Sequence, residues 1–157
     1  MAVNVGDKAP DFKGIDSNVK EKKLSDYKGQ KVVLAFFPGA FTSVCTKEMC
    51  TFRDSMANFN KLNAKVIGVS VDTPFSLAEF AKVNKLNFDL ISDANKEITK
   101  KYDVLYDSFL NIPGLHAAKR AVFVIDKNGV VRYKWVSEDP RVEPDYKAVE
   151  AEVAKLN

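Results

Sequence analysis

Residues 38–52 read Pro38-Gly-Ala-Phe-Thr42-Ser43-Val-Cys45-Thr-Lys-Glu48-Met-Cys50-Thr-Phe52, and they follow the apolar run Val32-Val-Leu-Ala-Phe-Phe37. An unbroken apolar run of this length predicts a strand buried on both faces. Beyond it, Cys45, Met49, Phe52, Met56 and Phe59 recur at steps of 4, 3, 4 and 3, one stripe of an amphipathic helix. Pro38 and Gly39 interrupt the strand, and Thr42 or Ser43 can cap the helix by accepting its free backbone N–H groups. Cys45 therefore falls in the first helical turn, on the face directed at the body of the protein. The leading end of a helix carries partial positive charge and unpaired N–H donors, and both favour a thiolate, the nucleophilic form of cysteine.

Downstream, Lys65-Val-Ile-Gly-Val-Ser-Val71 predicts a second buried strand, rich in β-branched residues. Asp72-Thr-Pro74 then opens a helix: Thr73 can cap it, Pro74 suits its first position, and Phe75, Leu77, Phe80 and Val83 supply apolar faces. Phe88-Asp-Leu-Ile91 is a short strand, and Asp93 or Asn95 can cap a brief helix running to Tyr102. Periodicity fails over residues 104–119, which predicts a long loop, and such loops in compact domains are often functional. Ala121-Val-Phe-Val-Ile-Asp126 and Val130-Val-Arg-Tyr-Lys-Trp135 flank Lys127-Asn-Gly129, a hairpin signal. Glu143-Pro144 begins a last helix to Leu156. Upstream, Val5-Gly-Asp-Lys-Ala-Pro-Asp-Phe12 is turn-rich and predicts a loop laid against a sheet edge. Residues 20–29 are polar, with Leu24 and Tyr27 as anchors.

The order β-α-β-α-β-α-β-β-α predicts an α/β protein with a central mixed sheet flanked by helices. The pattern alone admits several small folds of that class. With no repeat, low-complexity tract or linker, residues 1–157 read as a single domain. Basic residues number 24 against 21 acidic, a net charge of +3 that is too mild and too scattered to argue for nucleic acid. No run approaches membrane-spanning length, and Met1-Ala-Val-Asn-Val-Gly lacks a signal-peptide core, so the expectation is a cytoplasmic protein. In a reducing compartment its two cysteines are more often catalytic, redox-active or metal-binding than a structural staple.

The spacing Pro38-x-x-x-Thr42-x-x-Cys45 resembles the active-site signature of the peroxiredoxins, and the segment from Val5 to Phe12 resembles their opening. This resemblance, which runs from Val5 through the last helix, selects the thioredoxin fold. It implies a thiol peroxidase: Cys45 as the peroxidatic cysteine, Thr42 bonding thiolate and peroxide, and Pro38 shielding the sulfur from water. Arg120-Ala-Val-Phe-Val-Ile-Asp126 resembles the family segment whose arginine points into the site, and Glu48 matches a family acid that orients such arginines. A guanidinium suits that task because it stays charged and donates fixed hydrogen bonds to the peroxide oxygens. The implied substrates are hydrogen peroxide and alkyl hydroperoxides, and the implied reductant is thioredoxin or a glutaredoxin-like protein. No cofactor and no metal are implied.

Cys50, five residues after Cys45, is placed like the resolving cysteine of the Q-type peroxiredoxins, the bacterioferritin comigratory protein group. On an intact helix such a spacing holds two Cα atoms roughly 8.6 Å apart, whereas a disulfide spans no more than about 7 Å. Resolution by Cys50 therefore requires the first turns to unwind. Val44 stands where Q-type members carry glycine, and Ala40-Phe-Thr-Ser-Val44 resembles instead the alkyl hydroperoxide reductase E type, which commonly works with one cysteine. No cysteine follows Cys50 in these residues, so a C-terminal resolving residue is not expected.

Bland readings stand beside these. Cys45 and Cys50 can be small core hydrophobes, Thr42 a cap, Pro38 a strand terminator, and Arg120 and Glu48 solvated surface groups. Cys45, Cys50 and His116 are too few and too irregularly spaced for structural zinc. A non-enzymatic interaction protein would use Phe109, Leu110, Ile112 and Leu115 as a docking surface, and the same loop could form a homodimer contact in place of a monomer's surface.

Overall fold

The structure is a computed structural model that describes residues 2–156. Its centre is a pair of parallel strands, β3 (Lys31–Phe36) and β4 (Ala64–Ser70), joined by helix α1 (Ser43–Lys61). Helix α2 (Pro74–Asn84) returns the chain to β5 (Asp89–Ser92), parallel to β4. On the other side of β3, strand β8 (Arg120–Ile125) pairs antiparallel, and β9 (Val131–Ser137) extends the sheet antiparallel to β8. Strands β1 (Lys13–Asp16) and β2 (Glu21–Lys23) complete the far edge, giving the order β2-β1-β5-β4-β3-β8-β9. The sheet is mixed and flanked by helices, as the order of elements predicted.

Strand alternation divides the core in two. Val33, Ala35, Phe37, Val66, Leu90, Val122 and Val124 face α1, α2 and the last helix, α4 (Tyr146–Ala154). Leu34, Phe36, Ile67, Val69 and Phe123 face the other way, against Phe12, Tyr102 and Ile98, the last of these on the short helix α3 (Glu97–Lys101). The α1 stripe of Cys45, Met49, Phe52, Met56 and Phe59 is buried throughout. Helix and sheet approach closely at Gly68. A Cβ there would lie 2.6 Å from Leu90 Cδ2 and 3.3 Å from both Met49 Sδ and Phe37 Cε1.

Several local expectations hold. Thr73 accepts from Ser76 N and caps α2, with Pro74 in its first turn. The opening segment lies on the β9 edge through Gly6 N to Val131 O and Ala9 N to Gly129 O, each 2.8 Å. The hairpin between β8 and β9 turns at Gly129, whose φ is 83°.

Others need correction. The β1–β2 hairpin was not expected, because strands of four and three residues with Ile15 as their one large apolar side chain are too short and too polar to reveal a period. Residues 104–119 are not wholly loop: β6 (Leu105–Tyr106) pairs antiparallel with β7 (Ala117–Ala118). Two-residue strands are too short to leave a pattern. The last helix starts at Tyr146, capped by Asp145, two residues beyond Pro144. Thr42 holds the cap position of α1, yet neither it nor Ser43 caps with its side chain: Thr42 Oγ1 donates to Gly39 O at 2.8 Å. The tight turn at residues 38–41 brings that carbonyl within reach. At α3 the two free N–H groups of Ile98 and Thr99 are taken by both oxygens of the buried Asp93, at 2.9 and 2.8 Å.

Candidate active site

Pro38, two residues beyond the end of β3, is buried; the turn after it leads to exposed Thr42 and so to α1. Cys45, in the first turn, is 0% exposed. Arg120 opens β8, and its side chain falls on the same face as Val122 and Val124, two and four residues on. That parity sends the guanidinium toward α1, where it is 1% exposed. Nη2 donates to Cys45 Sγ at 3.3 Å and Nη1 to Glu48 Oε1 at 2.8 Å. Nε and Nη2 also converge on the Pro140 carbonyl, at 3.1 and 2.7 Å.

Taking a cation and a carboxylate out of water is expensive, and it is tolerated where attraction and hydrogen bonds fill the geometry. For Arg120 they do. Burial works against its charge, but Glu48 and Cys45 more than offset that, and the guanidinium is held even more firmly charged than an ordinary arginine. Glu48 is less well served. It is wholly buried, and its Oε2 has no hydrogen-bond partner among the described residues. Burial pushes its carboxyl up to about 7; Arg120 pulls the other way without winning, and the negative Glu143 nearby adds to the rise. Glu143 is itself tied by Lys47 at 3.0 Å and by the Tyr146 hydroxyl at 2.6 Å.

Cys50 lies apart from this cluster. It is half-buried on the flank of α1 that meets the end of α2, with its Sγ 3.7 Å from Asn84 Oδ1. Arg53 closes the same seam by donating from Nη1 to Asn84 O at 2.6 Å. Both cysteines are free thiols, and α1 is continuous across them. Five residues of intact helix keep their Cα atoms roughly 8.6 Å apart.

The structure thus brings Cys45, Glu48 and Arg120 into contact, sets Pro38 and Thr42 on the adjoining turn, and leaves Cys50 facing α2. Sequence reasoning missed two contributors. The Pro140 carbonyl is a main-chain group, which residue type does not announce. Asp72, two residues beyond β4, accepts from Ala40 N at 2.8 Å and so touches the active-site turn; an acidic residue just after a buried strand was the available signal. His116 is half-buried, and its Nδ1 lacks a hydrogen-bond partner among the described residues. Among the described residues no group of three or more His, Cys, Asp or Glu could hold a metal ion, and no helix is long and apolar enough to cross a membrane. On the irregular loop, Leu110, Ile112 and Leu115 are exposed.

A buried thiol at the head of the helix that follows a central parallel strand, met by an arginine from an antiparallel neighbour, defines a thiol protein of the thioredoxin fold. Residues 5–134 match the AhpC/TSA family, and the chain belongs to that family. It is 43% identical over 131 residues to "Peroxiredoxin Q, chloroplastic" of Oryza sativa subsp. japonica, covering 83% of this chain and 58% of that protein. It is 38% identical over 149 residues to "Thioredoxin-dependent peroxide reductase, mitochondrial" of Drosophila melanogaster, covering 88% of this chain and 61% of that one. The chain therefore spans about three-fifths of the length of these curated relatives. The crystal structure of the peroxidoxin BcpB from Mycobacterium tuberculosis superposes with a TM-score of 0.88 at 30% identity, over 99% of both chains. The thioredoxin fold and the peroxiredoxin resemblance drawn from the sequence are both borne out.

Proposed function

We propose that this chain is a thiol-dependent peroxidase whose reacting atom is Cys45 Sγ. The thiolate attacks the terminal oxygen of hydrogen peroxide or an alkyl hydroperoxide; an S–O bond forms as the O–O bond breaks. The leaving oxygen takes a proton and departs as water or an alcohol, while the sulfur is oxidised to a sulfenic acid. Arg120 steadies the charge on sulfur and on the departing oxygen, Glu48 orients Arg120, Thr42 bonds the peroxide and Pro38 keeps water off the sulfur. The observation that carries this reading is the hydrogen bond from Arg120 Nη2 to Cys45 Sγ at 3.3 Å, deep in a buried site. The test is peroxide consumption with a dithiol donor: the chain turns over, and Cys45→Ser does not. An inactive chain with an intact fold would leave the docking-protein reading, built on the exposed Leu110, Ile112 and Leu115.

Resolution has two readings. In the first, Cys50 attacks the sulfenic acid, expels water and forms an intramolecular disulfide, which thioredoxin or a glutaredoxin-like protein reduces. In the second, Cys45 works alone and the external thiol attacks it directly. The intact α1 and the hold of Asn84 on Cys50 favour the second until α1 opens. The donor named for the Drosophila relative, thioredoxin, suits either. Free thiols are at home in a reducing compartment such as the cytoplasm, and the single domain of residues 1–157 works as a monomer or a homodimer.

A further inference from the structure

The turn between β3 and α1 is held in an unfavourable shape. Phe41 has a φ of 68°, a left-handed conformation that is unfavourable for an aromatic residue. Such a conformation persists only where surrounding contacts impose it. Within the turn, Thr42 Oγ1 donates to Gly39 O at 2.8 Å. The Phe41 ring rests edge-on against Phe80 of α2, centroids 5.3 Å apart. The third contact comes from just beyond β4: Ala40 N donates to Asp72 Oδ2 at 2.8 Å.

Asp72 is itself fixed. Its Oδ2 accepts from the Ser70 hydroxyl at 2.6 Å, and its carbonyl accepts from the Ser92 hydroxyl at 2.6 Å. Asp93 N to Ser70 O, 2.7 Å, ties the same ends of β4 and β5 together. The position of the turn is therefore referred to the carboxyl ends of two central strands through one carboxylate oxygen. Asp72 makes no hydrogen bond to the sulfur, and its direct link to the chemistry is through the turn that carries Pro38 and Thr42.

We infer that Asp72 is a positioning residue for the peroxide reaction: it holds the turn over Cys45 at the height where the Thr42 hydroxyl can meet a bound peroxide. This rests on the peroxidase reading above. A loosened turn would misplace the peroxide while leaving the sulfur and its Arg120 contact intact. The consequence is selective, since small electrophiles that need no oriented binding would still react.

The experiment compares two rates at Cys45 in the reduced chain, both followed by peptide mass spectrometry: oxidation by hydrogen peroxide and alkylation by iodoacetamide. For Asp72→Ala the peroxide rate is expected to fall about tenfold to a hundredfold, as displacements near 1 Å do, with the alkylation rate unchanged. Asp72→Asn, whose amide oxygen can still accept from Ala40 N, is expected to recover most of the peroxide rate. Ser70→Ala, which removes only the hydroxyl orienting Asp72, gives a smaller loss in the same ratio and serves if Asp72→Ala does not fold. A peroxide rate in Asp72→Ala equal to that of the parent chain overturns the inference. So does an equal loss of both rates, which would make Asp72 a purely structural residue. If the parent chain itself is not oxidised by peroxide while iodoacetamide labels it, the peroxidase reading falls and takes this inference with it.

Discussion

Nη2 of Arg120 donates to Sγ of Cys45 at 3.3 Å while Nη1 of the same guanidinium donates to Oε1 of Glu48 at 2.8 Å. One planar cation thus links a buried acid to a buried nucleophile, and the Pro140 carbonyl receives two more of its N–H bonds, which stops it from rotating. The arrangement needs a fork of donors in fixed directions, and a lysine ammonium cannot supply it.

Arg120→Lys is accordingly expected to keep the positive charge and lose most of the chemistry. The second-order rate of Cys45 oxidation by hydrogen peroxide should drop by about 100- to 1000-fold, the usual effect of removing one donor aimed at developing charge. Single-turnover kinetics checks this. A rate within a factor of a few of the parent would mean that charge alone suffices.

Glu48 makes stability depend on pH in an unusual direction. Its carboxyl titrates at about 7 in the folded chain, above the ordinary 4.5, because burial penalises the charged form. A raised value means that its contribution to stability is full below about 4.5 and is lost as the pH rises through about 7. Urea denaturation from pH 4 to 8 should therefore show the parent losing stability, by a few kcal/mol in all, relative to Glu48→Gln across that window. The absolute level of the variant also reflects the partner taken from Arg120, so the slope is what matters. Parallel pH curves would refute the assignment.

Cys50 can reach Cys45 only if α1 opens. After one equivalent of peroxide, formation of the bond should appear as a loss of two hydrogens in the mass. It should come with a loss of roughly two turns of helix by circular dichroism and faster hydrogen exchange over residues 44–50. Asn84→Ala, which frees the Cys50 thiol from its 3.7 Å partner, should speed the step. A lasting gain of one oxygen with the helix intact would instead establish that Cys45 works alone.

Gly68 leaves room for Leu90 of β5 and Met49 of α1 to pack over β4. Gly68→Ala places a methyl 2.6 Å from Leu90 Cδ2 and 3.3 Å from Met49 Sδ. These are flexible side-chain ends and they will yield, at a cost of about 1–3 kcal/mol. Chemical denaturation should register that loss, and because Met49 lies one turn after Cys45, a lower peroxide rate should accompany it.

Legibility varied with how local the controlling physics was. The α1 stripe and the Thr73–Pro74 helix start were readable because side-chain period and capping act within a few residues. The β1–β2 and β6–β7 pairings were not, since strands of two to four residues leave no period and are defined by the partner they meet. Thr42 shows the same limit at one side chain: the residue type suited a cap, but its side chain accepts no N–H of α1 and its hydroxyl donates to the Gly39 carbonyl.

By itself the sequence determined that a buried strand, a broken turn and an amphipathic helix would follow one another, with Cys45 in the helix's first turn. Hydrophobic period and helix-end chemistry are properties of neighbouring residues. Only the tertiary structure decided which groups reach that sulfur. Arg120 comes from 75 positions away, because β8 runs antiparallel along β3 and starts where β3 ends. The Pro140 carbonyl and Asp72 join through contacts that exist only once the sheet has closed. Long-range pairing fixes such meetings, and no window along the chain contains both partners.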